Sequence, residues 1–171
     1  MISDPSRLPE IDAAAGADEV FMRHAMELAR QAAAAGEVPI GAVVVKGGVI
    51  IGRGMNEVEL QHDATKHAEM IALRQAAEFQ GDWRMEECTM FVTKEPCAMC
   101  SGALVNARMR RVCFGVRDPR CGGGGSSGLN VCNYPGMLWQ VETCGGVLEA
   151  DCLQIIRDFF AEVRRKNKIK D

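Results

Sequence analysis

No apolar run in the sequence approaches the roughly 20 residues that a bilayer-spanning helix needs, which excludes a helical membrane span. No internal repeat is present either, which sets aside solenoid and propeller architectures. The first 17 residues lack a basic start leading into a long apolar stretch, and they lack the Arg-rich, acid-poor composition of an organelle signal. They are expected to form a loose arm (1–17) ahead of one domain (18–171). Histidine is scarce, with three in 171 residues, so a site built on imidazole has few candidates.

Cysteine is plentiful, with eight residues. In an exported chain that number would suggest a disulfide framework. Here no export signal is visible and the cysteines lie in apolar, core-like segments, so reduced thiols in a cytoplasm fit better, with disulfides the alternative. Hydrophobic residues at 47% and charged residues at 25% are ordinary for a soluble globular domain. The net charge of −3 hides an asymmetry: "RRKNKIKD", residues 164–171, holds five bases and one acid, which leaves −7 for the rest.

Periodicity organises the chain. Val20, Phe21, Met22, Ala25, Leu28, Ala29 and Ala32 follow helical spacing, with Asp18 as the expected N-cap and Gly36 as the stop. Two β-branched runs joined by Lys46-Gly47-Gly48 predict an antiparallel hairpin. Met70, Ile71, Leu73, Ala76 and Phe79 predict a helix that begins close to His67. "CTMFVT" (88–93) reads as a buried strand, "CAMCSGALVNA" (97–107) as a helix entered through Pro96, and "RRVCFGV" (110–116) as another strand. "RDPRCGGGGSSG" (117–128) is a loop, "LWQVETC" a fifth strand, and a last helix starts near Glu149 with Leu153, Ile156, Phe159, Phe160 and Val163 along one stripe. A hairpin followed by alternating helices and strands implies a three-layer α/β/α domain in which helices cover both faces of a mixed five-stranded sheet.

Two short stretches carry chemistry. Cys97 and Cys100 have the two-residue separation that lets both thiolates reach one zinc ion, and the expected start of a helix favours their charged form. His67, also at an expected helix start, supplies a third ligand. In mid-helix, residues two apart point to nearly opposite sides, so His67 and Glu69 could approach one ion only if it lies off the helix end. Three ligands leave a tetrahedral corner for water, the mark of a catalytic zinc, with Glu69 as the base beside it. Other readings stay open: a structural zinc knuckle or redox pair, or a fourth thiol from Cys88 or Cys113. His24 and His62 receive no role.

"HAE" followed by "PCAMC" resembles the zinc nucleoside deaminase signature. Together with "EVPIGAVVV", "GMNE", "HAEMIALRQA", "FVTKEPCAMCSGAL", "RRVCFGVRDP" and "RDFFAEVRR", it is similar to the bacterial TadA-type tRNA adenosine deaminases over residues 18–168. The resemblance implies a cytidine-deaminase-like fold and one Zn2+ per subunit, held by His67, Cys97 and Cys100. It implies that a zinc-bound water attacks C6 of the wobble adenosine in a tRNA anticodon stem-loop, with Glu69 as proton shuttle. Asn56 matches an asparagine that contacts the flipped nucleoside, although a turn role at the strand end is its ordinary alternative. The backbone around Ala68 and Pro96 would line the same pocket. Arg117 and Asp118, with Phe159, Phe160, Arg164 and Arg165 of the last helix, fall where the family holds RNA. A homodimer is implied, a heterodimer with a related subunit being the alternative.

Three features depart from that family pattern: Leu138-Trp139 in place of an Asn-His pair, the glycine run 122–125 after Cys121, and Lys94 before "EPC". They touch RNA recognition rather than zinc chemistry. The rival readings are a deaminase of a free base or nucleotide, of guanine or cytosine type, and a non-catalytic zinc-stabilised RNA-binding module.

Overall fold

A computed structural model of the protein describes residues 16–168, so most of the arm expected over 1–17 and the end of the basic tail lie outside the described residues. Helix α1 (Ala17–Ala34) leads into the hairpin β1 (Gly41–Lys46) and β2 (Val49–Met55), in which Lys46 pairs with Val49. A single turn, α2 (Val58–Gln61), precedes α3 (Ala68–Gln80), β3 (Cys88–Lys94) and α4 (Ala98–Asn106). The chain ends with β4 (Arg111–Val116), β5 (Glu142–Gly145) and α5 (Glu149–Lys168).

The sheet runs β2-β1-β3-β4-β5 and is mixed, as expected. β1 is antiparallel to both β2 and β3, while β3, β4 and β5 are parallel. β2, β3 and β4 therefore all point the same way and end at one edge of the sheet. The segments that leave this edge are the ones that begin α3, begin α4 and form the 117–128 loop.

Strand alternation divides the core in two. Ala42, Val44, Met90 and Val92 pack against Ala68, Ala72 and Ala76 of α3 and Leu104 of α4. Val43, Val45, Phe91 and Cys113 face the other way, onto Met22, Ala25 and Met26 of α1 and Cys152 of α5. Helices thus cover both faces. α3 sits close on β2 because Gly54 has no side chain; a Cβ there would come within 2.2 Å of the Ala68 carbonyl oxygen. This close seat fixes where the first turn of α3 lies.

Three expectations need correction. Gly16, not Asp18, is the N-cap of α1, and the Asp18 carboxylate instead takes both Arg111 amino groups at 3.1 and 2.9 Å. The fifth strand is shorter than "LWQVETC": the Trp139 indole donates to the Met109 carbonyl and Val141 donates to Cys132, so pairing with β4 starts only at Glu142. α2 was not expected; a single turn has no periodicity to read.

Candidate active site

His67 is the N-cap of α3 and Cys97 the N-cap of α4, with Cys100 in the first turn behind it. Because both helices start at the same sheet edge, residues 30 apart in sequence meet: His67 Nδ1 lies 3.6 Å from Cys97 Sγ and 3.5 Å from Cys100 Sγ. A zinc tetrahedron with N and S bonds of about 2.0–2.1 and 2.3 Å has N···S edges of about 3.6 Å, so the donor set fits that ion. No fourth His, Cys, Asp or Glu among the described residues joins this group, and all eight cysteines are free. Cys88 and Cys113 sit in β3 and β4 as buried thiols.

Electrostatics favours one thiolate within the triangle. Hydrogen bonding to Cys100 and then to His67 pulls the Cys97 thiol down to about 3. The same contact with Cys97 raises His67, and sharing with Cys97, followed by burial, pushes Cys100 up. Glu69, in the first turn of α3, is 5% exposed, and burial raises its carboxyl above the usual range. A divalent charge next to it acts in the opposite sense. A carboxyl caught between these influences suits a group that must both take and give a proton.

The triangle opens into a cavity of about 450 Å³, lined by Glu37, Asn56, Glu69, Lys94, Arg120 and Phe160 among others. Asn56, 7% exposed, follows β2 and donates through Nδ2 to Glu37 Oε2 at 2.9 Å. Ala68 and Pro96 adjoin His67 and Cys97 but are buried, and the Pro96 carbonyl is taken by the Gly123 amide at 2.7 Å.

On α5, Phe160 rather than Phe159 reaches the cavity; Phe159 is half-buried and meets Phe160 edge-on at 5.3 Å. Ile156 lines the cavity too, and Arg164 continues the same i, i+4 row one turn beyond Phe160. Arg165 is turned to Glu162, at 2.9 and 2.7 Å.

The 117–128 loop is organised by an acid that sequence reasoning missed. Glu95, 3% exposed, accepts the backbone N–H groups of Asp118 at 2.8 Å, Gly124 at 3.0 Å and Ser126 at 3.1 Å. The glycine run is what lets the loop wrap this carboxylate. A Cβ on Gly122 would lie 2.3 Å from the Glu95 carboxyl carbon, and one on Gly123 would lie 2.4 Å from Ser101 Oγ. Asp118, expected on RNA, is itself 3% exposed, and its carboxylate is committed to Lys94, to Cys121 Sγ and to the Arg120 amide. The Lys94 ammonium holds it well below the usual carboxylate range. What Asp118 offers a ligand is the shape of the loop. Arg117 ties the loop to α5 through Glu149 at 3.0 Å and to the end of β5 through the Gly145 carbonyl at 3.2 Å.

Replacing Glu95 by alanine strands three inward-facing amides at once. At roughly 1–3 kcal/mol for each unsatisfied buried donor, partly relieved by water, a loss of about 3–5 kcal/mol is expected. The corresponding fall of about 10 °C or more in thermal midpoint is read by calorimetry, and Glu95→Gln, which keeps one oxygen, should lose less than half as much.

A second group of metal-type donors, Asp18, Cys113 and Cys144, lies on the other face of the sheet, where Arg111 already occupies the carboxylate.

The sequence model of the MafB19-like deaminases matches residues 17–164. The tRNA-specific adenosine deaminase of Bacillus subtilis is 42% identical over 153 residues, covering 88% of this chain and 93% of that protein. A solved tRNA A34 deaminase, studied for A-to-I editing at the wobble position of transfer RNA, superposes with a TM-score of 0.75 at 37% identity, over 79% of this chain and 97% of its own. The guanine deaminase of Bacillus subtilis superposes less completely, with a TM-score of 0.56 at 35% identity over 65% of this chain and 69% of its own. The chain belongs to the MafB19-like deaminases and, within them, groups with the tRNA-specific adenosine deaminases.

Proposed function

We propose that the protein converts adenosine to inosine at the wobble position of tRNA anticodons by hydrolytic deamination. The observation that carries the chemistry is the meeting of His67, Cys97 and Cys100 at one sheet edge, with Glu69 buried against the same cavity. The curated and solved relatives supply the substrate class. Zinc, when held by the three donors, supplies a Lewis acid that lowers the pKa of water toward about 7.

The residues of the chain do the rest. Glu69 takes one proton from the attacking water as the C6–O bond forms and passes it to the ring nitrogen; it then takes the second proton from the new C6 hydroxyl and delivers it to the amine as the C6–N bond breaks, the C6 carbonyl forms and ammonia leaves. Asn56 orients the flipped nucleoside through its amide. Phe160 offers a stacking face at the cavity mouth, and Arg164, aligned behind it, a cation for phosphate. Arg117, Asp118, Phe159 and Arg165 act on RNA through the loop and helix they brace. The enzyme is proposed to work in the cytoplasm as a homodimer with one zinc per subunit; light scattering of the purified protein, alone and with a related subunit, reads the assembly.

Incubation of the purified protein with total tRNA, followed by sequencing for adenosine-to-inosine conversion, tests this function. Inosine confined to wobble positions is the expected result. Turnover of free guanine or cytidine with no change in tRNA overturns it in favour of the rival. Arg164→Ala is expected to weaken tRNA binding and reduce its salt slope by about one ion, while Arg165→Ala, already paired with Glu162, changes the slope less. Affinity measured across a salt series checks both.

A further inference from the structure

The chemistry above makes no use of Glu37, yet this acid is 1% exposed and lines the cavity. Both of its oxygens accept: Oε2 from Asn56 Nδ2 at 2.9 Å and Oε1 from the Leu60 amide of α2 at 2.7 Å. Neither partner is a cation. A carboxylate buried in this way is held by two neutral donors, and those donors belong to two walls of one pocket.

A carboxylate can only accept, so it fixes which end of the Asn56 amide turns toward it. The NH2 end faces Glu37. The carbonyl end receives no donor among the described residues, and Asn56 contributes to the cavity wall. We propose that Glu37 is a positioning residue: it locks the Asn56 amide with its oxygen toward the substrate, so that the nucleoside group recognised there is a hydrogen-bond donor, an O–H or N–H. This inference rests on reading the cavity as a nucleoside site. Through Leu60, the same carboxylate holds α2, whose Val58 and Glu59 also line the cavity, so one buried acid sets both the polarity and the shape of that wall.

Glutamine at this position keeps the volume but carries one donor and one acceptor. Either the Leu60 amide or Asn56 must then face an NH2 group, and the conflict is relieved when the Asn56 amide flips and presents NH2 to the substrate. A lost or reversed hydrogen bond to the ligand weakens binding by about tenfold.

The test is a double-mutant cycle on tRNA deamination with Glu37→Gln, Asn56→Ala and the double variant. Glu37→Gln is expected to raise KM about 10-fold and lower kcat less than about 3-fold, with zinc content retained. In the Asn56→Ala background the same change should have little further effect. Additive effects, or an unchanged KM in Glu37→Gln, overturn the proposal, since a merely structural acid would act independently of Asn56. Should Glu37→Gln lose its fold, Glu37→Asp replaces it in the cycle: a carboxylate one methylene shorter no longer reaches both Asn56 and Leu60, so Asn56 loses its anchor, and the rise in KM should again vanish in the Asn56→Ala background. Failure of the wild type to form inosine counts against the proposed function instead; the cycle is then read on whichever free base is deaminated, where additivity still overturns the coupling.

Discussion

Glu69→Ala is expected to lower inosine formation by about 10²–10⁴-fold, toward the upper end because in the proposed reaction one carboxyl serves every proton transfer. Zinc and fold should survive. The reason lies in burial: Glu69 is 5% exposed and its carboxyl is raised by desolvation, so it is a burden on the folded state, one that the proposed proton-transfer role accounts for. Removing it should leave the thermal midpoint unchanged or higher. Glu69→Gln, which fills the same space without moving protons, should be equally inactive, and this separates proton transfer from packing. Persisting activity in either variant overturns the role.

The same burial sets a pH signature in the chelated protein. A carboxyl raised above its ordinary value of 4.5 disfavours the fold in its ionised form. That penalty is absent below about pH 4.5, where both states are protonated, and grows as pH rises toward the folded value. Glu69→Gln should therefore match the wild type in thermal midpoint near pH 4 and exceed it at neutral pH. Equal midpoints across the range would mean that the carboxyl is solvated after all.

The meeting of His67, Cys97 and Cys100 was legible in the sequence because each half of it is local. "HAE" and "PCAMC" sit at helix starts that periodicity locates within a residue or two, and the direction of the strands then forces the two starts together. The hairpin, the buried strand before Pro96 and the last helix were legible for the same reason. The parts that were not legible depend on contacts across long separations. Glu95 looks like one more charge before a proline, and only its three amide partners, 23 to 31 residues away, show why the glycines of the loop are needed. Glu37 has its partners 19 and 23 residues on. A sign was available for Glu37, an acid directly before the apolar run that opens at Val38, but nothing local named its partners. Phe159 and Phe160 differ by one position, and the stripe of α5 alone could not choose between them; the cavity wall does.

His67→Ala should lose the metal and with it all measurable inosine formation, and the loss should exceed what one ligand in three suggests. His67 does more than donate Nδ1. Its hydrogen bond is one of the two contacts that pull the Cys97 thiol down to about 3, so removing the imidazole lets that thiol rise and leaves less of it as thiolate. One substitution therefore deletes one ligand and weakens a second. Cys100, already pushed up by sharing with Cys97 and by burial, cannot compensate. Metal analysis after equilibration with a competing chelator should show about one zinc per chain in the wild type and close to none in the variant. Alkylation of the chelated proteins should show Cys97 reacting at lower pH in the wild type than in His67→Ala. Full zinc stoichiometry in the variant would place the ion elsewhere, and an unshifted alkylation profile would show that the imidazole acts as a ligand alone.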